Sequence, residues 1–143
     1  MSTSQTRDLT PAAIALRAGI VGLALATAYI HSTLGGLLFT LNALGYLVAA
    51  VAMVVPLGLA IRFRWVVRMG LVAYALATIA GWAIQGPYYS TAYIAKAIEV
   101  ALIALVAIDF VRADGNPVAL VRREIALGLS VIGVRRATGS AAA

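Results

Sequence analysis

The chain has 143 residues, of which 63% are hydrophobic and 11% charged, with a formal net charge of +6; soluble domains carry about a quarter charged residues. That balance excludes an ordinary soluble fold and points to lipid as the surrounding medium. The absence of Cys removes disulfides, Cys-based zinc sites, iron–sulfur clusters and dithiol chemistry.

A hydrocarbon layer of about 30 Å takes about 20 apolar helical residues, and four runs meet that length, at about 11–31, 36–59, 66–85 and 91–112. The first opens on Thr10 as N-cap and Pro11 at the first helical position. Ala26-Thr27-Ala28 has the form of a signal-peptidase site, but a retained first helix keeps the span count even. The turn His31-Ser32-Thr33-Leu34-Gly35-Gly36 leads into the second run, which Pro56 kinks or ends. Gly86-Pro87 stops the third, and Ser90 or Thr91 caps the fourth. Residues 1–113 thus form an all-α, four-helix transmembrane bundle. Residues 114–143 form a cytoplasmic or interfacial tail, in which Asn116-Pro117 starts a C-terminal helix over about 117–136. Arg122, Arg123 and Glu124 make that helix a poor fifth span and a better interfacial one.

Ten of the eleven basic residues are Arg, and all ten fall on one side of this topology. Arg7 and Arg17 flank the first span, Arg62, Arg64 and Arg68 lie between the second and third, and Arg112, Arg122, Arg123, Arg135 and Arg136 follow the fourth. By the positive-inside rule that side is cytoplasmic, with both termini on it, in a multi-pass protein of the cell membrane. The same cluster attracts anionic lipid headgroups, so the basic excess is not a nucleic-acid signature.

The fourth run places Lys96 about 7 Å and Glu99 about 12 Å from its outer end. Charges at such depth cost about 2.5–3.5 kcal/mol each at a helix centre, so they must face protein, water or each other. Their spacing of three allows a direct ion pair. Snorkelling accounts for Lys96 alone but not for the deeper Glu99. His31, Asn42 and Gln85 fall toward the same outer side, so each of the four spans supplies a polar group there. Small-residue rows, Ala18, Gly22 and Ala26 in the first span and Ala73, Ala77 and Gly81 in the third, suit close helix packing. Trp82, Tyr88, Tyr89 and Tyr93 belong near the outer border as an aromatic belt or pocket lining, and the deeper Tyr46 and Tyr74 need hydroxyl partners. Asp109 and Arg112 read as an interfacial pair.

One His gives no bis-histidine haem and no metal cluster, and no nucleophile–base constellation or phosphate loop is present, so soluble-type catalysis and a cofactor are not expected, and an enzyme acting on lipid or quinone stands only as a third reading. The pattern points to an outward-facing polar pocket built on His31, Asn42, Gln85, Lys96 and Glu99, binding or transporting a proton, ion or small polar molecule. The alternative is a non-catalytic accessory or assembly subunit of a larger membrane complex, in which the polar groups hold helices together. A bundle this small is expected to form a homo-oligomer or join such a complex.

Overall fold

A computed structural model describes residues 10–56, 58, 63–113 and 115–131. Among the described residues there are five helices and no strand: α1 Pro11–Thr33, α2 Leu37–Val54, α3 Arg64–Gln85, α4 Ser90–Ala113 and α5 Pro117–Val131. Three of them, α1, α2 and α3, are long and apolar enough to cross a membrane, with mean hydropathies of 1.8, 2.1 and 1.5. This is compatible with a membrane location. The fourth matches them in length at 24 residues but carries Lys96, Glu99, Asp109 and Arg112 along it. The positions of Arg7, Arg62, Arg135 and Arg136, the stretch expected to continue α5 to 136, and Leu59 lie outside the described residues.

Local chemistry sets the helix ends. The Thr10 side chain accepts from the Ala13 amide at 3.2 Å, satisfying one of the orphan donors of the first turn. Gly35 and Gly36 take φ of 71° and 83°, a region costly for residues with a Cβ, and so turn the chain between α1 and α2. The third helix stops at Gln85, where Gly86 has a φ of 67° and its amide donates to the Trp82 carbonyl at 2.8 Å. Asn116 Oδ1 accepts from the Val118 amide at 2.9 Å and caps α5. The second helix ends earlier than the apolar run to 59 suggests. Val55 is extended, with φ −60° and ψ 123°, because the ring of Pro56 disfavours helical geometry in the residue before it.

The four long helices pack in a ring, α1 against α2 and α4, and α3 against α4 and, more sparsely, α2. Their shared core joins Ile20, Ala24 and Ala28 of α1, Tyr46, Ala50 and Met53 of α2, Leu71 and Ala75 of α3, and Leu102 and Val106 of α4. Large apolar residues stand on the exterior instead, Leu37 76% and Ile84 80% exposed, while Glu99, Asp109 and Arg68 are inside. An apolar exterior around buried charge inverts the soluble pattern. The small-residue row of α1 does not face the bundle as packing would require. Ala18 and Gly22 are exposed and a Cβ on Gly22 would meet nothing within 4 Å, because the buried stripe runs through Ile20, Ala24, Thr27, Ala28 and His31. Ala73 of the α3 row is likewise exposed.

Candidate functional site

Two polar layers lie within the bundle. The first centres on Glu99, which is 0% exposed. Lys96 Nζ, one helical turn before it, donates to Glu99 Oε2 at 2.7 Å. Thr78 of α3 donates to the same oxygen at 2.8 Å, and Thr27 of α1 donates to Oε1 at 3.3 Å. Because the Thr78 proton is directed to the carboxylate, the Tyr46 hydroxyl of α2, 3.0 Å from Thr78 Oγ1, donates in turn to Thr78. One carboxylate thereby gathers donors from three helices and, through Thr78, from the fourth. Donors that point at a buried carboxylate offset the loss of its hydration, and hydrogen bonds to a charged group are about twice as strong as neutral ones.

His31 joins this layer at 3% exposure. Its Nδ1 lies 2.8 Å from the Thr27 carbonyl oxygen, a pure acceptor, so Nδ1 carries the hydrogen. Nε2 is therefore the nitrogen turned towards Glu99 Oε1, at 3.7 Å, beyond a direct hydrogen bond. The His31 ring also packs on Tyr46 with centroids 5.9 Å apart.

The second layer lies ten residues further along α4, about 15 Å by helical rise. Here Arg68 Nε of α3 donates to Asp109 Oδ2 at 2.6 Å, and Arg17 Nε of α1 stands 4.0 Å from Oδ1. The pairing of Asp109 with Arg112 read from their spacing of three is thus overturned: the carboxylate is buried and faces α1 and α3, while Arg112 is exposed. A fully buried acid takes the partners that share its interior face, whatever its sequence neighbours. Both layers are cross-helix interlocks, with Leu102, Val106, Ile20 and Ala24 packed between them.

Beside the Glu99 layer is a cavity of about 360 Å³. Its walls are Leu38, Phe39, Leu41 and Asn42 of α2, Tyr74, Ala77, Thr78, Gly81, Trp82 and Gln85 of α3, and Ala92, Ala95 and Lys96 of α4, with His31, Leu34, Gly86, Pro87 and Tyr89 around its end. Of the five polar residues singled out in the sequence, His31, Asn42, Gln85 and Lys96 line it. Glu99 does not; it sits behind Thr78, Lys96 and His31. Among the aromatic residues singled out, Tyr74, Trp82 and Tyr89 line it. Tyr46 lies beneath, edge-on to Tyr74 at 4.9 Å. Tyr88 and Tyr93 are not among the lining residues and pack edge-on against Trp82 at 5.5 and 5.1 Å. The Trp82 indole is fixed by donating to the Pro87 carbonyl at 2.7 Å. Tyr74 is fixed by donating to the Asn42 carbonyl at 3.2 Å, a reach that Gly45 permits, since a Cβ there would stand 2.5 Å from Tyr74 Oη.

Thr27 and Thr78 are the partners of Glu99 that sequence reading missed. Thr27 precedes His31 by four and Thr78 follows Tyr74 by four, spacings that share a helix face but do not show that both faces meet Glu99. Among the described residues no group of His, Cys, Asp and Glu is arranged to hold a metal ion. Comparison of the chain with protein-family models, with curated proteins and with solved structures gives no match.

Proposed function

We propose that the chain is a four-span protein of the cell membrane, α1 to α4 crossing with both termini cytoplasmic, and that its outer pocket binds a small molecule for recognition or transport. Helix α4 is the fourth span: at 1.5 Å per residue its 24 residues reach about 36 Å, and its Glu99 and Asp109 turn inward onto partners from the other helices, with Lys96 paired to Glu99. Arginine-rich connections put the Asp109 layer at the cytoplasmic border, where Arg112, Arg122 and Arg123 meet anionic headgroups, and the pocket at the opposite one.

The observation that carries the binding reading is the cavity itself, of about 360 Å³, with Lys96 on its wall. That volume lies within the range of small-molecule sites, and a mostly apolar lining with a few convergent polar groups is their usual composition. Glu99 serves as the fixed counter-ion that holds Lys96 in place, rather than as the contact surface. The test is extraction of the purified wild-type protein and of Gly81→Leu, with the extracts compared by mass spectrometry. Gly81 lines the pocket and a Cβ on it meets nothing within 4 Å, so the leucine is the substitution chosen to occupy pocket space. One compound near equimolar with the wild-type chain and missing from the variant supports the reading; identical extracts contradict it.

A second reading, an accessory or assembly subunit, is favoured by one observation. Glu99 is fully enclosed and bonded to several helices, as a group that only clamps helices would be. Loss of a co-purifying partner protein in Glu99→Gln, with Gly81→Leu unaffected, is the outcome that reading requires.

A further inference from the structure

The pocket wall has a single polarity. Lys96 is the one charged side chain among its lining residues, and no Asp or Glu is among them, because Glu99 stands wholly behind them. The Lys96 ammonium has three N–H donors. One goes to Glu99 Oε2, and among the described residues no bond takes up the other two. Lys96 is 9% exposed and lines the cavity.

The rest of the wall describes the body of the occupant. Leu38, Leu41, Ala77 and Gly81 line the cavity and are exposed. Their helices, α2 and α3, are tied together deeper in the bundle, where Tyr46 meets Thr78 and Tyr74 meets the Asn42 carbonyl. These two helices are the most sparsely packed neighbours in the ring, and α2 carries exposed Leu37 and Leu44 beside the lining residues Leu38 and Leu41. A cavity with a cation at its inner wall and an apolar mouth matches a molecule with an anionic head and an apolar tail.

We infer that the pocket takes a single-chain amphipathic anion, its carboxylate on Lys96 Nζ and its chain leaving between α2 and α3 into the acyl layer. The inference rests on the pocket being a binding site and adds the chemical class of its ligand. A volume near 360 Å³ is at the small end for ligand sites and suits one chain rather than two. An ionised head is favoured over a neutral one because it adds the attraction of opposite charges to the bond from the ammonium, an attraction that a low-dielectric pocket strengthens and that Glu99, on the far side of Lys96, only partly offsets.

Trp82 lines the cavity and the chain has two Trp, so Trp65→Phe makes Trp82 the sole reporter. The full chain in phosphatidylcholine nanodiscs is titrated at alkaline pH with 6-bromoundecanoic acid and with the matching 6-bromo alcohol, whose bromine sits partway along the chain, nearer the head than its end, and quenches indole on contact. The expected result is saturable quenching by the acid, with the alcohol about tenfold weaker. Lys96→Gln weakens the acid to the level of the alcohol, Lys96→Arg restores much of the difference, and Gly81→Leu removes both. The comparison of the two probes on unaltered Lys96 and the Gly81→Leu block keep the test decisive even if Lys96→Gln fails to fold. Equal affinity of acid and alcohol, or an acid preference that survives Lys96→Gln, overturns the inference while leaving a binding pocket. Quenching that does not saturate for either probe, or is untouched by Gly81→Leu, overturns the pocket reading as well.

Discussion

Replacing Lys96 with Met leaves the Glu99 carboxylate, 0% exposed, without its cation. Breaking a buried pair from one side costs about 3–5 kcal/mol, since the remaining charge has lost both water and partner. Two hydroxyl donors stay, Thr78 at 2.8 Å and Thr27 at 3.3 Å, and hydrogen bonds to a charged group contribute about 1.5–3 kcal/mol each. The expected loss therefore falls at the lower end, about 3 kcal/mol, or roughly a hundredfold in the folding equilibrium. Removing both charges together, in Lys96→Met with Glu99→Leu, takes away the stranded ion and replaces the pair with packed apolar groups, a change that is often neutral. Thr78 then keeps a backbone acceptor, the Ala75 carbonyl at 2.9 Å. The double variant is expected within about 1 kcal/mol of the wild type. Reversible unfolding in mixed micelles, followed by tryptophan fluorescence, measures all three proteins. A single variant as stable as the wild type, or a double variant as unstable as the single, refutes the interlock.

Arg68→Lys is expected to destabilise by about 2–4 kcal/mol in the same assay, because the Nε contact to Asp109 at 2.6 Å depends on a planar guanidinium that an ammonium does not replace. Gly45→Ala is expected to displace the Tyr74 ring, whose Oη would stand 2.5 Å from the new Cβ. The cost is about 1–3 kcal/mol, read as a lower unfolding midpoint together with altered near-ultraviolet dichroism. Asn116→Ala removes the cap of α5 and is expected to speed hydrogen exchange at the Val118 amide, which Asn116 Oδ1 holds at 2.9 Å, by about 1 kcal/mol in protection.

The ends of the helices were largely legible from the chain, because capping is local: Thr10-Pro11, Gly86-Pro87 and Asn116-Pro117 each fix a boundary with atoms no more than a few residues apart. The end of α2 was legible in principle. The apolar residues beyond Pro56 prolong the hydropathy signal, while the conformational limit on Val55 stops the helix. Within the polar layers, depth could be counted along each helix, which brought His31 and Lys96 to the level of Glu99. Helix rotation could not be counted. Thr27 and Thr78 became partners of Glu99, and Asn42 and Gln85 became cavity lining, through the relative rotation of four helices. A small-residue row supplies no reliable guide to that rotation, as exposed Ala18 and Gly22 illustrate. The same limit hid the Arg68 partner of Asp109, 41 positions away.

The pocket beside Glu99 is tested most directly by thiol accessibility, for which the chain's lack of Cys gives a silent background. Ala77 lines the cavity and Ala73, one turn deeper on the same helix face, does not. Ala77→Cys is expected to react about tenfold faster than Ala73→Cys with a small charged thiosulfonate added from outside intact cells, since a thiol in hydrocarbon forms little reactive thiolate. Gly81→Leu is expected to remove the difference. Equal rates at the two positions, or labelling of Ala77→Cys only from the cytoplasmic side, would contradict a pocket at the outer end of the bundle.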